Sequence, residues 1–209
     1  MLLFVAIFGA YLLGSIPFGF ICVKIAKGID IRNVGSKNIG ATNVMRILGT
    51  LPGIFVLFLD FAKGFFAVQI FRWLFVTKFS GNEFSSFLIF IAIAAILGHI
   101  FPIFLSFKGG KGVATAAGTF VNLMPFPTLF AFIAFLIFMI IFRYVSLASI
   151  IAVITLFGIE LYKNITNFEN LPFLILTFFI VILIIYRHKE NIKRLINRDE
   201  PKVNFRKKK

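Results

Sequence analysis

Val113-Ala114-Thr115-Ala116-Ala117-Gly118-Thr119-Phe120-Val121-Asn122-Leu123-Met124 is the stretch on which the topology turns. It is short and less apolar than the runs around it. Crossing a hydrocarbon core of about 30 Å takes about 20 helical residues, so this piece spans only if it is tilted, half-buried or shielded by neighbours. Met124-Pro125-Phe126-Pro127 follows it and marks a sharp turn into the next apolar run. Six other stretches approach spanning length: 2–23, 51–76, 85–106, 126–142, 145–162 and 172–186. Counting 113–124 gives seven spans, and omitting it gives six.

Loop charge separates the two counts. With seven spans and the N-terminus outside, the inner loops hold Lys24, Lys27, Arg32, Lys37 and Arg46, then Lys108, Lys111 and Arg143, then ten basic residues from Arg187 onward. Arg72, Lys78 and Lys163 remain outside, and Lys63 lies within a span. Eighteen cations against three satisfy the positive-inside rule, whereas six spans strand either the early loop or the tail outside. The expected fold is all-α and polytopic, with seven transmembrane helices, N-terminus outside and C-terminus cytoplasmic. No internal repeat or second domain is visible. The chain reads as one transmembrane domain, 1–195, followed by a basic and disordered tail, 196–209, whose end can meet anionic lipid.

Composition supports this placement. Sixty per cent of 209 residues are hydrophobic, 31 are phenylalanine, and the mean hydropathy is +1.00. A soluble domain of this size cannot hide so much apolar surface. The formal charge of +14 would suggest nucleic acid in a soluble protein, but here topology and anionic lipid explain it, and no nucleic-acid partner is expected. A single cysteine, Cys22, excludes an intrachain disulfide and a cysteine metal cluster. The first apolar run has no basic leader and contains Gly14-Ser15-Ile16-Pro17-Phe18-Gly19 in place of a cleavage site, so it reads as a retained helix.

Two segments differ from their apolar surroundings. The first is Gly35-Ser36-Lys37-Asn38-Ile39-Gly40-Ala41-Thr42-Asn43-Val44-Met45-Arg46, and the second is Lys108-Gly109-Gly110-Lys111-Gly112-Val113-Ala114-Thr115. Glycine lets backbone N–H groups approach a ligand, and Ser, Thr, Asn, Lys and Arg donate hydrogen bonds. This is phosphate-holding chemistry. Gly35-x4-Gly40-Ala41-Thr42 resembles a nucleotide-binding P-loop, but Ala41 stands where the lysine belongs and no strand precedes it, which excludes an NTPase. Arg46 offers a bidentate fork for phosphate. In the second loop Lys108 and Lys111 flank the Gly109-Gly110 pair, and a helix starts just after Gly112, where free N–H groups and the helix dipole favour an anion.

His99, beside Pro102 at a helix end, reads equally as a ligand or as a hydrogen-bonded structural residue. His188 and Asn191 are three apart and share a helix face if the last span continues into the tail. Asp60 and Lys63, also three apart and within a span, read as an internal ion pair, because pairing lowers the cost of charge at membrane depth. Glu160 reads as structural. The seven-span arrangement brings both glycine loops, the Arg143–Ser149 turn and His188–Asn191 to one face of the membrane.

These motifs together resemble the PlsY family, the bacterial acyl-phosphate:glycerol-3-phosphate acyltransferases. The likeness runs in order through the Gly35–Arg46 loop, Asp60-Phe61-Ala62-Lys63-Gly64, Gly98-His99 through Thr115, and Arg143-Tyr144 with Ser146 and Ser149. It implies a seven-span enzyme of the bacterial cytoplasmic (inner) membrane with its site facing the cytoplasm. The implied reaction carries a fatty acyl group from acyl phosphate to the sn-1 hydroxyl of glycerol 3-phosphate, giving lysophosphatidic acid without acyl-CoA or acyl-carrier protein. It implies catalytic roles for Ser36, Arg46, Lys108, Lys111, Ser146, Ser149, His188 and Asn191, with the central lysine and serine left open. Phosphate binding falls to Gly35, Lys37, Asn38, Gly40, Thr42, Asn43, His99, Gly109, Gly110, Gly112 and Thr115. No metal or other cofactor is expected. The expected partners are the two substrates, membrane lipids and the enzyme that supplies acyl phosphate.

The histidines do not carry the His-x4-Asp pair of other glycerolipid acyltransferases: Phe104 follows His99 and Lys193 follows His188 at that spacing. The expected mechanism therefore positions two phosphates close together, stabilises the developing oxyanion with lysine and N–H donors, and lets the departing phosphate take the hydroxyl proton. A transporter of an anionic phosphorylated solute is the competing reading, but it should carry polar residues through several spans. A membrane scaffold with a basic tail leaves both loops unexplained.

Overall fold

The computed structural model describes residues 2–75, 81–167 and 171–203, with the side chains of 2, 81–86 and 166–167 outside that description. Every regular element in it is helical. The tail end, 204–209, and Lys78 lie outside the described residues. Two compact units divide the chain, Met1–Leu123 and Met124–Lys209, and their boundary falls at the Met124-Pro125 turn.

The first unit opens with α1 (Leu2–Ser15) and α2 (Phe18–Lys27). The expected single helix over 2–23 is thus interrupted at Ile16-Pro17, since proline has no N–H to donate to the preceding turn. The two pieces together still form one candidate span, Leu3–Lys27. A 3₁₀ turn (Ile31–Asn33) and α3 (Ala41–Leu48) lead into α4 (Thr50–Phe75), followed by α5 (Gly81–Ile100), a second 3₁₀ turn (Ile103–Leu105) and α6 (Val113–Leu123). Small residues let these helices approach closely. Ala6 and Ala10 of α1, Ala67 of α4, and Ala92 and Ala95 of α5 form one buried cluster with Val68, Ile91 and Phe87. A β-carbon at Gly64 would strike the Thr115 carbonyl, and one at Gly118 the Phe61 carbonyl, so α4 and α6 pack backbone to backbone. A second cluster, Val23, Ile31, Ile39, Val44, Val56 and Leu105, seats the first glycine loop on α2 and α4.

The second unit holds α7 (Pro125–Phe142), α8 (Val145–Asn167), α9 (Leu171–Arg187) and α10 (Lys189–Ile196). Pro125 opens α7, where its missing N–H costs nothing, and Arg143 closes it with a φ of 63°. Phe126, Phe130, Phe132, Ile140 and Ile141 project outward from α7. Such a surface would be costly in water and is ordinary against lipid.

Among the described residues, five segments are long and apolar enough to span a membrane, and a sixth span is counted if the bent α9–α10 pair is taken as one. At 11 residues, α6 falls short of that length. The expected helical continuation of the last span into the tail is helical but turned by 59°. The tail beyond it differs from expectation. Glu200 is buried, and the Val203 N–H donates to the Arg143 carbonyl at 2.8 Å, so the start of the 196–209 segment is folded onto its unit.

Candidate functional site

The first loop is shaped by its own side chains. The Asp30 carboxylate accepts the Arg32 backbone N–H at 2.9 Å and caps the 3₁₀ turn. The Arg32 guanidinium returns to the same carboxylate, with Nη2 to Oδ2 at 2.7 Å, and lies 5.5 Å from the Phe20 ring centre. Those hydrogen bonds hold the Asp30 carboxyl below the ordinary carboxylate range, against a smaller opposing effect of burial. Gly35 and Lys37 adopt left-handed conformations on either side of Ser36, with φ of 61° and 58°. A β-carbon at Gly35 would also strike the Asn43 side-chain oxygen.

Asn43, on the buried face of α3, is 1% exposed. Its Oδ1 accepts the Ser36 N–H at 2.9 Å, and its Nδ2 donates to the Asn38 carbonyl at 2.9 Å and the Val34 carbonyl at 3.0 Å. The Asn38 side chain accepts the Gly40 N–H at 2.8 Å. Ser36 and Thr42 are half-buried, while Lys37 and Arg46 are exposed.

The segments that lead into the two loops meet at one carbonyl. Arg32 Nη1 donates to the Leu105 oxygen at 3.3 Å, and the Lys108 backbone N–H donates to the same oxygen at 3.2 Å. Gly110 N–H donates to the His99 carbonyl and Gly109 N–H to the Ile100 carbonyl, which lays the glycine pair back along the end of α5. Lys108 is exposed and Lys111 half-buried beside it; Gly112, at a φ of 84°, hands the chain to α6.

Three residues expected among the phosphate ligands are turned inward: Asn43 as above, Thr115 at 0% exposure and His99 at 4%. The Thr115 hydroxyl donates to the Asp60 main-chain carbonyl at 3.0 Å. A donor's identity is legible in sequence, but the direction it faces is set by packing. The expected Asp60–Lys63 ion pair is present at 2.8 Å, and Glu160 pairs with Lys163 at 2.9 Å.

In the second unit the expected residues meet around one that sequence reading missed. Glu200 Oε1 accepts the Ser146 hydroxyl at 2.7 Å and the Asn191 amide at 2.6 Å, and Oε2 accepts Arg194 Nε at 2.7 Å. Burial raises the Glu200 carboxyl, but the hydrogen bonds from Ser146, Asn191 and Arg194 and the Arg194 charge outweigh it and leave the group below its ordinary range. The available signal was its sign, an acid inside a strongly basic tail. Ser149 differs from Ser146: its hydroxyl donates to the Val145 carbonyl of its own helix at 2.8 Å. His188 sits in the bend before α10, not within a continuous helix, and is 2% exposed. Its Nδ1 lies 2.8 Å from the Ile184 carbonyl, which can only accept, so Nδ1 carries the hydrogen.

These loops can be compared with known proteins. The Glycerol-3-phosphate acyltransferase family model matches residues 4–198. The chain is 48% identical over 196 residues to the glycerol-3-phosphate acyltransferase of Aquifex aeolicus, covering 93% of this chain and 95% of that one. It is 46% identical over 199 residues to that of Endomicrobium trichonymphae, covering 95% and 94%. Among solved structures, PlsY, an integral membrane glycerol 3-phosphate acyltransferase, superposes in its glycerol 3-phosphate form with a TM-score of 0.85 at 43% identity, over 98% of this chain and 96% of that one. Its lysophosphatidic acid form gives 0.81 at 42% identity over the same shares. This chain belongs to the glycerol-3-phosphate acyltransferase family.

Proposed function

We propose that this chain is an integral membrane acyltransferase that moves a fatty acyl group from acyl phosphate to the sn-1 hydroxyl of glycerol 3-phosphate, giving lysophosphatidic acid and phosphate. This is the first acylation step of bacterial phospholipid synthesis. The observation that carries the reading is the shared Leu105 carbonyl, which links the segments leading into the two glycine–cation loops of one unit. Family membership and the substrate- and product-bound forms of PlsY support it.

Acyl phosphate is a mixed anhydride and needs no further activation. The glycerol oxygen attacks the acyl carbon, the new ester C–O bond forms, and the acyl–phosphate C–O bond breaks. The departing phosphate takes the hydroxyl proton. Ser36 and Arg46 hold a phosphate from the first loop. Lys108, Lys111 and the N–H groups ahead of α6 stabilise charge on the second phosphate and on the developing oxyanion. Within the second unit, Ser146, Asn191 and His188 are the catalytic candidates; of the two serines, Ser146 is the central one, since its hydroxyl meets Asn191 at the Glu200 carboxylate. Ser149 bonds back to its own helix. Both units belong to one acyltransferase domain over 1–195. We assign seven spans, with α6 shielded by its neighbours as the short one, the N-terminus outside, and the reaction on the cytoplasmic face of the inner membrane. There the enzyme that makes acyl phosphate can deliver it.

Purified protein given acyl phosphate and glycerol 3-phosphate should release one phosphate per lysophosphatidate formed. Absence of both products refutes the assignment. Single-turnover rates of His188→Ala address the proton: a loss of about four orders of magnitude, the upper end for general-base catalysis, would contradict transfer to the departing phosphate.

A further inference from the structure

Beneath the second glycine loop lies a buried polar group drawn from three helices. Asp60 and Lys63 of α4, His99 of α5 and Thr115 of α6 are all buried. Lys63 Nζ contacts Asp60 Oδ1 at 2.8 Å and donates to the Ile16 carbonyl, at the α1–α2 break, at 2.9 Å. The Thr115 hydroxyl has given its one proton to the Asp60 main-chain carbonyl. Its oxygen therefore meets His99 Nδ1, 3.2 Å away, as an acceptor. The Asp60 carboxylate oxygen, 3.4 Å from the same nitrogen, can also only accept. Nδ1 must carry the hydrogen. In the neutral ring with hydrogen on Nδ1, the lone pair lies on Nε2.

Nε2 faces the loop. A β-carbon at position 110 would collide with it, and the same glycine donates its N–H to the His99 main-chain carbonyl. We infer that His99 is a positioning residue: Asp60 and Thr115 fix its Nδ1–H tautomer, and Nε2 then serves as the inner hydrogen-bond acceptor for the Lys111 N–H. The N–H groups that follow, from Gly112 into the first turn of α6, are then left for a substrate phosphate. This assigns the buried Asp60 and Thr115 a part in shaping the phosphate loop, and it keeps His99 out of proton transfer. It rests on the acyltransferase reading only for the identity of the phosphate.

The chain has two histidines, so ring ¹⁵N spectra of the full-length protein in nanodiscs contain two imidazoles, assigned with His188→Gln. His99 should be neutral with hydrogen on Nδ1 from pH 6 to 8. An Nε2–H tautomer, or an imidazolium within that range, overturns the inference. This readout needs no turnover, so it stands apart from failure of the proposed reaction. Kinetics give the second arm. His99→Phe should raise KM for one of the two phosphate substrates at least about tenfold, and His99→Gln, which can place an amide oxygen near the Nε2 position, should recover most of it. Loss of rate with both KM values unchanged, or equal damage in the two variants, shows a merely structural histidine and overturns the inference.

Discussion

The Ser36 backbone N–H donates to the Asn43 side-chain oxygen at 2.9 Å, so a residue on the buried face of α3 holds the loop that carries the Ser36 hydroxyl. Both are in the Gly35–Arg46 motif, but they do different things there. Ser36 is half-buried at the loop, while Asn43 spends its amide on the loop's own backbone.

Asn43→Ala should therefore damage activity without removing any group that touches substrate. Leaving buried donors and acceptors unmatched costs about 1–3 kcal/mol, and if the loop bears that cost, kcat/KM falls about 5- to 150-fold. Asn43→Asp keeps an acceptor for Ser36 but turns a carboxylate toward the Val34 and Asn38 carbonyls, so it should be no better than alanine. Steady-state kinetics on both substrates, beside melting curves, check this; wild-type kcat/KM in Asn43→Ala would remove the clamp from the account.

The two serines of the Arg143–Ser149 turn separate in the same manner. Ser146 donates to a carboxylate, and a hydrogen bond to a charged group is worth about 1.5–3 kcal/mol. Ser146→Ala should lower kcat/KM about 10- to 100-fold. The Ser149 hydroxyl bonds one turn back on its own helix, an interaction that is neutral or slightly destabilising to a helix, so Ser149→Ala should stay within about threefold of wild type. Equal losses in the two would sink the distinction.

These contrasts mark what residue order could convey. The glycine loops were legible because lysine, glycine and hydroxyl residues cluster in an otherwise apolar chain. The Asp60–Lys63 pair was legible because a spacing of three brings two side chains to one helix face. Glu200 was not: it gathers Asn191, Arg194 and the distant Ser146 only because α9 and α10 bend at His188 and the following residues fold back. The inward orientation of Thr115 was equally hidden, since it depends on the close approach of α4 and α6 at Gly64. Helix count shows the same boundary. Hydropathy located the long apolar runs, but the 11 residues of α6 are too few to declare themselves a span, and the expected count of seven rested on loop charge.

Glu200 should also give the protein an acid-labile contribution. Its carboxyl lies below the ordinary range in the folded chain, so it contributes stability that is fully present above the unfolded pKa of about 4.3. That contribution is lost as pH falls through the folded value, because the unfolded state takes up the proton first. Wild type should exceed Glu200→Gln in stability near neutral pH by about 2 kcal/mol, the scale of hydrogen bonds to a charged group. The gap should close between about pH 5 and pH 3. Melting temperatures of both proteins across that range test the sign, and a gap that widens on acidification contradicts it.

Arg32 gives the last expectation, on the link between the two loops. Its guanidinium satisfies Asp30 with one edge and reaches the Leu105 carbonyl with Nη1, the same oxygen that receives the Lys108 N–H. A lysine could keep the charge but not the fork, because an ammonium cannot serve a carboxylate in two places and a carbonyl in a fixed third direction. The pair is partly exposed, so its contribution to global stability should be small, within about 1 kcal/mol. Its effect should appear instead where the loops must keep their spacing. Arg32→Lys and Arg32→Ala should both lower kcat/KM by about three- to tenfold, the scale of one hydrogen bond of about 1 kcal/mol, with melting temperatures close to wild type. If Arg32→Lys retains full activity while Arg32→Ala loses it, charge alone matters, and the Leu105 carbonyl is not the tie between the loops.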